Sequence, residues 1–255
     1  VCRLKKMFQT KNIDKIYQSG ISGGIAGSIQ LSSLYWLRTM IKYQYVYPIN
    51  ISTSFRKLYG SPDRLRFFRG FSPSIIKVGL GKVGEASLIN YFTPTQNNKL
   101  EQSIYSAVSI TGWKLLWMPF DTVGNCYQVN GKNGYHIIRN KIKVHGYSTL
   151  WSGSLAYLNI SLVNYTIWIY MYHQLSQYLP QTWNQDVRNG TIGLGATFCS
   201  DIIINPVRVM KTNIQSSPIK INYSDIYQSI MKKKMGYFRG LKTKMLFNCF
   251  NSALY

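Results

Sequence analysis

The sequence has 255 residues, of which 30 are lysine or arginine and eight are aspartate or glutamate, for a formal charge of +22. Charged residues make up only 15% of the chain and hydrophobic residues 45%, whereas soluble domains average roughly 25% charged residues. The chain is strongly positive because it has few acidic residues, and long stretches of it carry no charge. This pattern disfavours a nucleic-acid-binding protein and favours contact with an anionic membrane.

Two of the uncharged stretches are long enough to cross a membrane. Residues 16–37 and 155–175 hold no charged residue if His173 is neutral, and about 20 residues of helix span a hydrocarbon core. Both stretches contain serine, asparagine and tyrosine, which suits helices that face protein or a cavity. A tyrosine-rich soluble helical protein is the alternative, but these stretches favour an all-α membrane protein with several crossings.

Six long helices are predicted in chain order. Their ranges are 13–44, 71–93, 101–128, 154–177, 188–215 and 241–255. In the first helix, residues 23–27 form a small-residue surface that favours close approach of a second helix. The six helices form three consecutive pairs, and a basic linker with a short helix joins the two members of each pair. The linkers are 45–70, 129–152 and 216–239, and together they hold 14 bases and two acids. Because basic loops of membrane proteins collect on one side, the three linkers are predicted to face the same compartment.

The helix pairs are predicted to be repeats. Pro119 and Pro206 each lie 34 residues before a glycine, and Tyr35 lies 35 residues before Gly70. An aromatic residue stands two positions before each of these glycines. We call the three, Gly70, Gly153 and Gly240, the repeat glycines. The repeats cover about 13–93, 101–177 and 188–255. They predict a single domain over 1–255, in which the last helix is shorter than its counterparts.

Several stretches carry a resemblance to a known family. The segments "MPFDTVGNCYQ", "NPVRVMKTNIQ", "FFRGFSPSIIK" and "YFRGL" resemble the signature motifs of the mitochondrial carrier family, and the likeness extends over essentially the whole chain. The resemblance implies three tandem repeats forming a pseudo-threefold bundle of six transmembrane helices, with short matrix helices. It also implies a multi-pass protein of the mitochondrial inner membrane, with no cofactor apart from bound cardiolipin.

The resemblance also implies a damaged gate. In this family an acid on one odd-numbered helix pairs with a base on the next, and these pairs close the matrix side. Here Arg208 replaces an acid, Gly124 replaces a base, and the first repeat lacks the proline and both charges. One pair is left, Asp121 with Lys211, and the glutamines that brace such pairs remain. The gate remnant comprises Asp121, Lys211, Gln44, Gln128, Gln215, Pro119 and Pro206.

Family positions for substrate lie seven and eight residues after each repeat glycine. The possible solute contacts at these positions are Lys77, Ser161 and Asn248. Lys77 either faces an anion or is held by Glu85, two helical turns further along, or by lipid headgroups at the helix end. Asp201, a carboxylate inside the fifth helix, is a functional candidate by default, and Lys114 is its candidate structural partner.

Lipid contacts are predicted at the repeat glycines. A glycine at the start of an even-numbered helix leaves backbone N–H groups open to a phosphate at the positive end of the helix dipole. The residues that the resemblance assigns to cardiolipin are Arg69, Gly70, Ser152, Gly153, Arg239 and Gly240. The alternative is that these glycines only cap helices.

The degraded gate predicts a function other than transport. The favoured prediction is a structural or accessory subunit of a large respiratory-chain assembly, with membrane lipids and inner-membrane subunits as partners and no nucleic acid. A divergent transporter of a small anion that uses Lys77 is the main alternative, and an RNA-associated protein is the third. The sequence shows no catalytic set, metal-ligand spacing or phosphate loop, so an enzyme is not predicted.

Overall fold

The computed structural model describes residues 10–63, 65–92, 99–180, 182–232 and 236–253. Throughout these residues the regular structure is helical, which confirms the predicted all-α class. Short 3-10 turns precede the repeat glycines. The α-helices are α1 (Thr10–Ser33), α2 (Tyr35–Val46), α3 (Ile51–Tyr59), α4 (Phe71–Phe92), α5 (Lys99–Leu116), α6 (Met118–Asn130), α7 (Gly134–His145), α8 (Ser154–Tyr178), α9 (Gln185–Ser216), α10 (Tyr223–Met231) and α11 (Leu241–Ala253).

The six predicted long helices are present to within a few residues. The first consists of α1 and α2, which meet at Leu34, and the third consists of α5 and α6. Pro119 lies in the first turn of α6, where its missing N–H is not needed for an intrahelical hydrogen bond. Pro206 lies inside the unbroken α9. The three predicted linker helices are also confirmed, as α3, α7 and α10.

Hydropathy distinguishes α9 from the other helices. Within the described residues, α9 alone is both long and apolar enough to cross a membrane. The two stretches singled out in the sequence, 16–37 and 155–175, are helical, but their polar side chains keep them below that apolarity. By length and hydropathy, the described residues thus contain one candidate membrane-spanning helix, and the bundle of six transmembrane helices stays a prediction.

The chain packs as two compact units. The first comprises Val1–Ser33 and Ser72–Asp121, and the second comprises Leu34–Phe71 and Thr122–Tyr255. In the second unit, α2, α9 and α10 share a core. Its buried residues are Ile41, Tyr45, Val209, Ile214, Ile226 and Ile230.

In the first unit, the glycine-rich face of α1 packs closely on α4. A Cβ built on Gly24 would lie 2.7 Å from Cγ2 of Val83, and one built on Gly23 would lie 3.1 Å from Cβ of Ala86. Cβ atoms essentially never approach other atoms closer than 3.0 Å. The predicted close approach at residues 23–27 is therefore confirmed.

Replacing Gly24 by leucine is expected to lower the free energy of unfolding by about 2 kcal/mol, because overpacking a close contact typically costs 1–3 kcal/mol. Gly112→Leu is the control, since a Cβ at Gly112 meets nothing within 4 Å. The measurement is reversible unfolding of the detergent-solubilised protein. Equal effects of the two substitutions would contradict the packing role of the α1 face.

Candidate functional site

Side-chain hydrogen bonds join the first long helix of each predicted repeat to the turn before the glycine of the same repeat. A side chain of the helix donates to a backbone carbonyl 28 or 34 residues further along the chain. The bonds run from Thr39 to Phe67 and from Thr122 to Leu150 at 2.7 Å, and from Tyr35 to Arg69 and from Asn205 to Arg239 at 3.1 Å. The first predicted repeat therefore shares one kind of bond with the second repeat and the other kind with the third.

A buried arginine of the first linker caps the end of α6. Arg66 is 8% exposed, and its Nη1 and Nη2 donate to the carbonyls of Gln128 and Val129 at 2.8 and 2.5 Å. The last carbonyls of a helix have no intrahelical partner and carry the negative end of the helix dipole. The cation satisfies them, although burial lowers the pKa of the Arg66 guanidinium.

Bases of the other two linkers cap helices in the same way. Lys141, whose pKa is lowered by burial, donates from Nζ to the carbonyl of Ile214 near the end of α9, at 3.2 Å. Arg239 donates from Nη1 to the carbonyl of Val46 at the end of α2, at 3.4 Å. Each linker thus caps the first long helix of the following predicted repeat, and the third linker caps the first long helix of the first repeat.

Each repeat glycine lies close to the same helix that the linker before it caps. Their φ angles lie between 68° and 85°, a conformation that L side chains rarely adopt. A Cβ on each would approach the next repeat closely. The approaches are Gly70 to the carbonyl oxygen of Gly124 at 2.6 Å, Gly153 to Lys211 Cγ at 3.3 Å, and Gly240 to Tyr45 Cε1 at 2.9 Å. These glycines therefore have a packing role that the sequence did not predict. Lipid binding at these turns, and its alternative of helix capping alone, stay predictions.

The charged members of the gate remnant have partners within their own units. In the first unit, Nζ of Lys77 lies 3.2 Å from Oδ1 of Asp121. Lys77 thus has a carboxylate partner on α6, which the sequence did not predict. The expected partner Glu85 lies 3.0 Å from Nζ of Lys114. In the second unit, Nζ of Lys211 lies 4.6 Å from the centre of the Tyr157 ring. The predicted pair of Asp121 with Lys211 joins residues of different units and stays a prediction.

Two of the three glutamines of the gate remnant are held by neutral side chains. Gln44 donates to Ser54 Oγ at 3.0 Å and accepts from Thr243 Oγ1 at 2.6 Å, so it links α2 to α3 and α11. Gln128 is equally buried, but its side-chain atoms have no hydrogen-bond partner among the described residues.

Gln215 at the end of α9 makes comparable contacts to α6. It accepts from Nδ2 of Asn125 at 2.5 Å and donates to Oγ1 of Thr122 at 3.1 Å. All three residues are buried. The sequence did not single out Thr122, Asn125, Ser54 or Thr243, since short polar residues in helices carry no spacing signal of their own.

Asp201 lies in a buried polar cluster of the second unit. It is 2% exposed, pairs with Arg208 two turns along α9, and accepts from Nδ2 of Asn248 at 2.5 Å. The expected partner Lys114 instead lies 3.0 Å from Glu85 in the first unit. That expectation was wrong because the i, i+7 spacing within α9 supplies a closer cation. Of the predicted solute contacts, Asn248 thus binds Asp201.

The other predicted solute contact in this unit, Ser161, is buried on α8. Lys77 belongs to the first unit. A single solute site made of Lys77, Ser161 and Asn248 is therefore not assembled within either unit, and it stays a prediction.

A cavity of about 310 Å³ adjoins Arg239 and Gly240. Asn50, the residue before α3, lines it together with Lys242 at the start of α11. Arg239 is 9% exposed, and its Nε and Nη2 atoms are buried without a hydrogen-bond partner among the described residues. The N-termini of α3 and α11 both lie at this cavity, and together with the Arg239 side chain they favour an anionic group.

The other two predicted lipid sites differ from this one. Nε and Nη2 of Arg69 donate to the two carboxylate oxygens of Asp63 at 2.7 and 2.9 Å, and the hydrogen bond lowers the pKa of Asp63. Oγ of Ser152 lies 3.5 Å from Oγ1 of Thr149. Arg69 thus has an internal carboxylate partner, which leaves the Arg239 turn as the best supported of the three.

The comparisons with known proteins add no family to this description. No family model and no curated protein sequence matches the chain. The resemblance to mitochondrial carriers therefore stays an expectation from the sequence motifs.

Proposed function

We propose that this chain is a carrier-like protein of the mitochondrial inner membrane that serves as a non-transporting structural subunit of a large respiratory assembly. In this proposal its three repeats form a pseudo-threefold bundle of six transmembrane helices with short helices on the matrix side. The observation that carries the proposal is that Gln44 and Gln215, two of the three glutamines of the gate remnant, form buried hydrogen bonds with neutral side chains.

The order of the helix caps supports the threefold arrangement. Arg66 of the first linker caps α6, Lys141 of the second caps α9, and Arg239 of the third caps α2. A cycle of this kind requires the ends of α2, α6 and α9 to lie around a common axis, with each linker beside the following repeat. Three repeats in a closed ring satisfy that requirement.

The glutamine contacts support a bundle end that stays closed. A transport gate must open when substrate binds, so its contacts must be exchangeable for others of similar free energy. Gln44 and Gln215 instead donate and accept buried hydrogen bonds with neutral partners. Leaving such groups unsatisfied costs about 1–3 kcal/mol each, and a small solute offers no equivalent replacement for all of them.

The position of Arg208 supports the same conclusion. In a carrier this position holds an acid that pairs with a base on a neighbouring helix. Arg208 pairs with Asp201 on its own helix, so this ion pair is unaffected when neighbouring helices separate. It stabilises α9 without acting as a lock between repeats.

The proposal is tested in native membranes. The membranes are extracted with digitonin, separated on a native gel, and the bands are analysed by quantitative mass spectrometry. The expected result is comigration with a large respiratory complex at a fixed stoichiometry. Migration only as a free protein of 29.4 kDa would overturn the structural role.

A transporter of small anions remains the second candidate, favoured by a cation-lined cavity in the second unit. Uptake of radiolabelled anions into proteoliposomes distinguishes the two. Uptake that depends on Lys77, measured as a loss in Lys77→Ala with assembly intact, would favour transport. Absence of uptake by the reconstituted, folded protein is the result expected for a structural subunit.

Cardiolipin retention at the Arg239 cavity is a further prediction. Lys242→Gln removes an exposed cation that lines the cavity without touching the Arg239 cap, and it is expected to reduce retained cardiolipin several-fold, since a charge-assisted contact contributes about 1–2 kcal/mol. Native mass spectrometry of the purified protein measures the retained lipid. Lys220→Gln, an exposed base of the third linker, is the control, and equal retention by both variants would contradict the site.

A further inference from the structure

The side chain of Gln128, near the end of α6, is buried at a cost in stability. It is 1% exposed, and neither its Oε1 nor its Nε2 has a hydrogen-bond partner among the described residues. Gln44 and Gln215 are equally buried, but each of them donates to one neutral side chain and accepts from another. A buried amide without a partner has given up its hydrogen bonds to water without replacing them, so it destabilises the conformation that buries it.

A comparison of the first two linkers accounts for the missing partner. Gln44 donates to Ser54, which lies ten residues further along the chain on α3. The residue at the same spacing from Gln128 is Ile138, which is buried on α7. The second linker therefore has an alkyl side chain at the spacing where the first linker has a hydroxyl group.

Other contacts hold the end of α6 in place against this cost. Nη1 and Nη2 of Arg66 donate to the carbonyls of Gln128 and Val129, and hydrogen bonds from a charged donor are stronger than those between neutral groups. Nδ2 of Asn130 donates to the carbonyl of Ser216 at 2.9 Å. These contacts are lost if the last turn of α6 unwinds, whereas the Gln128 amide gains hydrogen bonds to water. The turn is thus under two opposing influences.

We propose that the last turn of α6, residues 126–130, opens locally while the rest of the second unit stays folded, and that Arg66 is the latch that keeps it shut. In the open conformation water hydrates the Gln128 amide, and the Arg66 guanidinium has left the two carbonyls. Openings of this kind need less free energy than unfolding of the whole structure. The contacts involved all lie within the second unit, so the opening is expected for a structural subunit and for a transporter alike.

Cys126 reports on the opening, because it lies on α6 two residues before Gln128. Its side chain is 0% exposed, so a thiol reagent reaches it only after the turn has opened. The purified protein in a neutral detergent is treated with N-ethylmaleimide, and mass spectrometry of its peptides measures the labelling rate of each cysteine. Cys249 is exposed and serves as the internal reference, whose rate is expected to be the same in all variants.

Gln128→Met is expected to slow the labelling of Cys126 by about five- to tenfold, because methionine keeps the length of the side chain and removes both unsatisfied groups from the closed conformation. Gln44→Met is the matched control. It makes the same substitution at an amide that has partners, and it leaves Ser54 and Thr243 without theirs. It is therefore expected to lower the unfolding temperature and not to slow the labelling of Cys126.

The latch is tested separately with Arg66→Lys. Lysine keeps the charge but loses the fork of two donors, so the labelling of Cys126 is expected to accelerate several-fold while that of Cys249 stays unchanged. Equal Cys126 rates in wild type and Arg66→Lys would overturn the role of Arg66 as the latch.

The sign of the effect at Gln128 decides the rest of the proposal. If Gln128→Met accelerates Cys126 labelling, or lowers the unfolding temperature as Gln44→Met does, the amide has a partner in the folded protein, such as a bound water, and the proposal is overturned. Gln128→Leu provides the same test if the methionine variant fails to fold. Labelling of wild-type Cys126 no faster than global unfolding allows would also overturn local opening, whatever the native gel shows about assembly.

Discussion

Replacing Asp201 by alanine is expected to lower the free energy of unfolding by about 3–5 kcal/mol. Breaking a buried ion pair by removing one partner leaves the other charge buried without compensation, and losses of this size are typical. Asp201 is 2% exposed and has two partners, Arg208 and Asn248. Its removal strands a guanidinium and an amide at once. Reversible unfolding in mixed detergent micelles measures the change.

The matched control removes both charges. Asp201→Leu combined with Arg208→Met is expected to recover most of the loss, because replacing a whole buried pair with apolar residues of similar size is often close to neutral. A double variant as unstable as Asp201→Ala would contradict the view that the uncompensated Arg208 charge causes the loss.

Replacing Arg66 by methionine is expected to lower the free energy of unfolding by about 2–4 kcal/mol. The substitution removes two charge-assisted hydrogen bonds and leaves the carbonyls of Gln128 and Val129 unsatisfied at the end of α6. Hydrogen bonds to charged groups contribute about 1.5–3 kcal/mol each. Part of that loss is offset because the desolvation of a buried guanidinium is also removed.

Two further variants make this prediction specific. Arg56→Met changes an exposed base of α3 and is expected to stay within about 0.5 kcal/mol of wild type, as surface substitutions usually do. Arg66→Lys keeps the charge but not the fork of two donors, so it should fall between the two. An Arg66→Met variant as stable as Arg56→Met would show that the cap does not hold the first linker to α6.

These two predictions concern different levels of the structure. Asp201 and Arg208 stabilise one helix and its neighbour, whereas Arg66 joins one predicted repeat to the next. If the cycle of caps holds the three repeats together, Lys141 and Arg239 have the same role at the other two junctions. Loss of the Arg66 cap should then affect assembly of the second unit as a whole.

Local features were predictable from the sequence. The six helix ranges followed from uncharged stretches that end at basic linkers, and the turns at Gly70, Gly153 and Gly240 followed from a spacing of 34 or 35 residues. The close face of α1 followed from small residues four apart. Each of these depends on residues that are near one another in the chain, so a pattern in the sequence carries the information.

The functional contacts were decided by the tertiary structure. The sequence counted Arg66 and Lys141 only as loop charges, it paired Asp201 with the wrong lysine, and it gave no sign that Arg38, Lys42 and Lys244 share a cavity. A lysine reads the same in a sequence whether it caps a helix, lines a cavity or faces solvent. Only the packing of helices up to about two hundred residues apart in the chain decides which carbonyl or cation lies within hydrogen-bonding distance. The sequence by itself therefore determined the helices, and the fold determined what their polar residues bind.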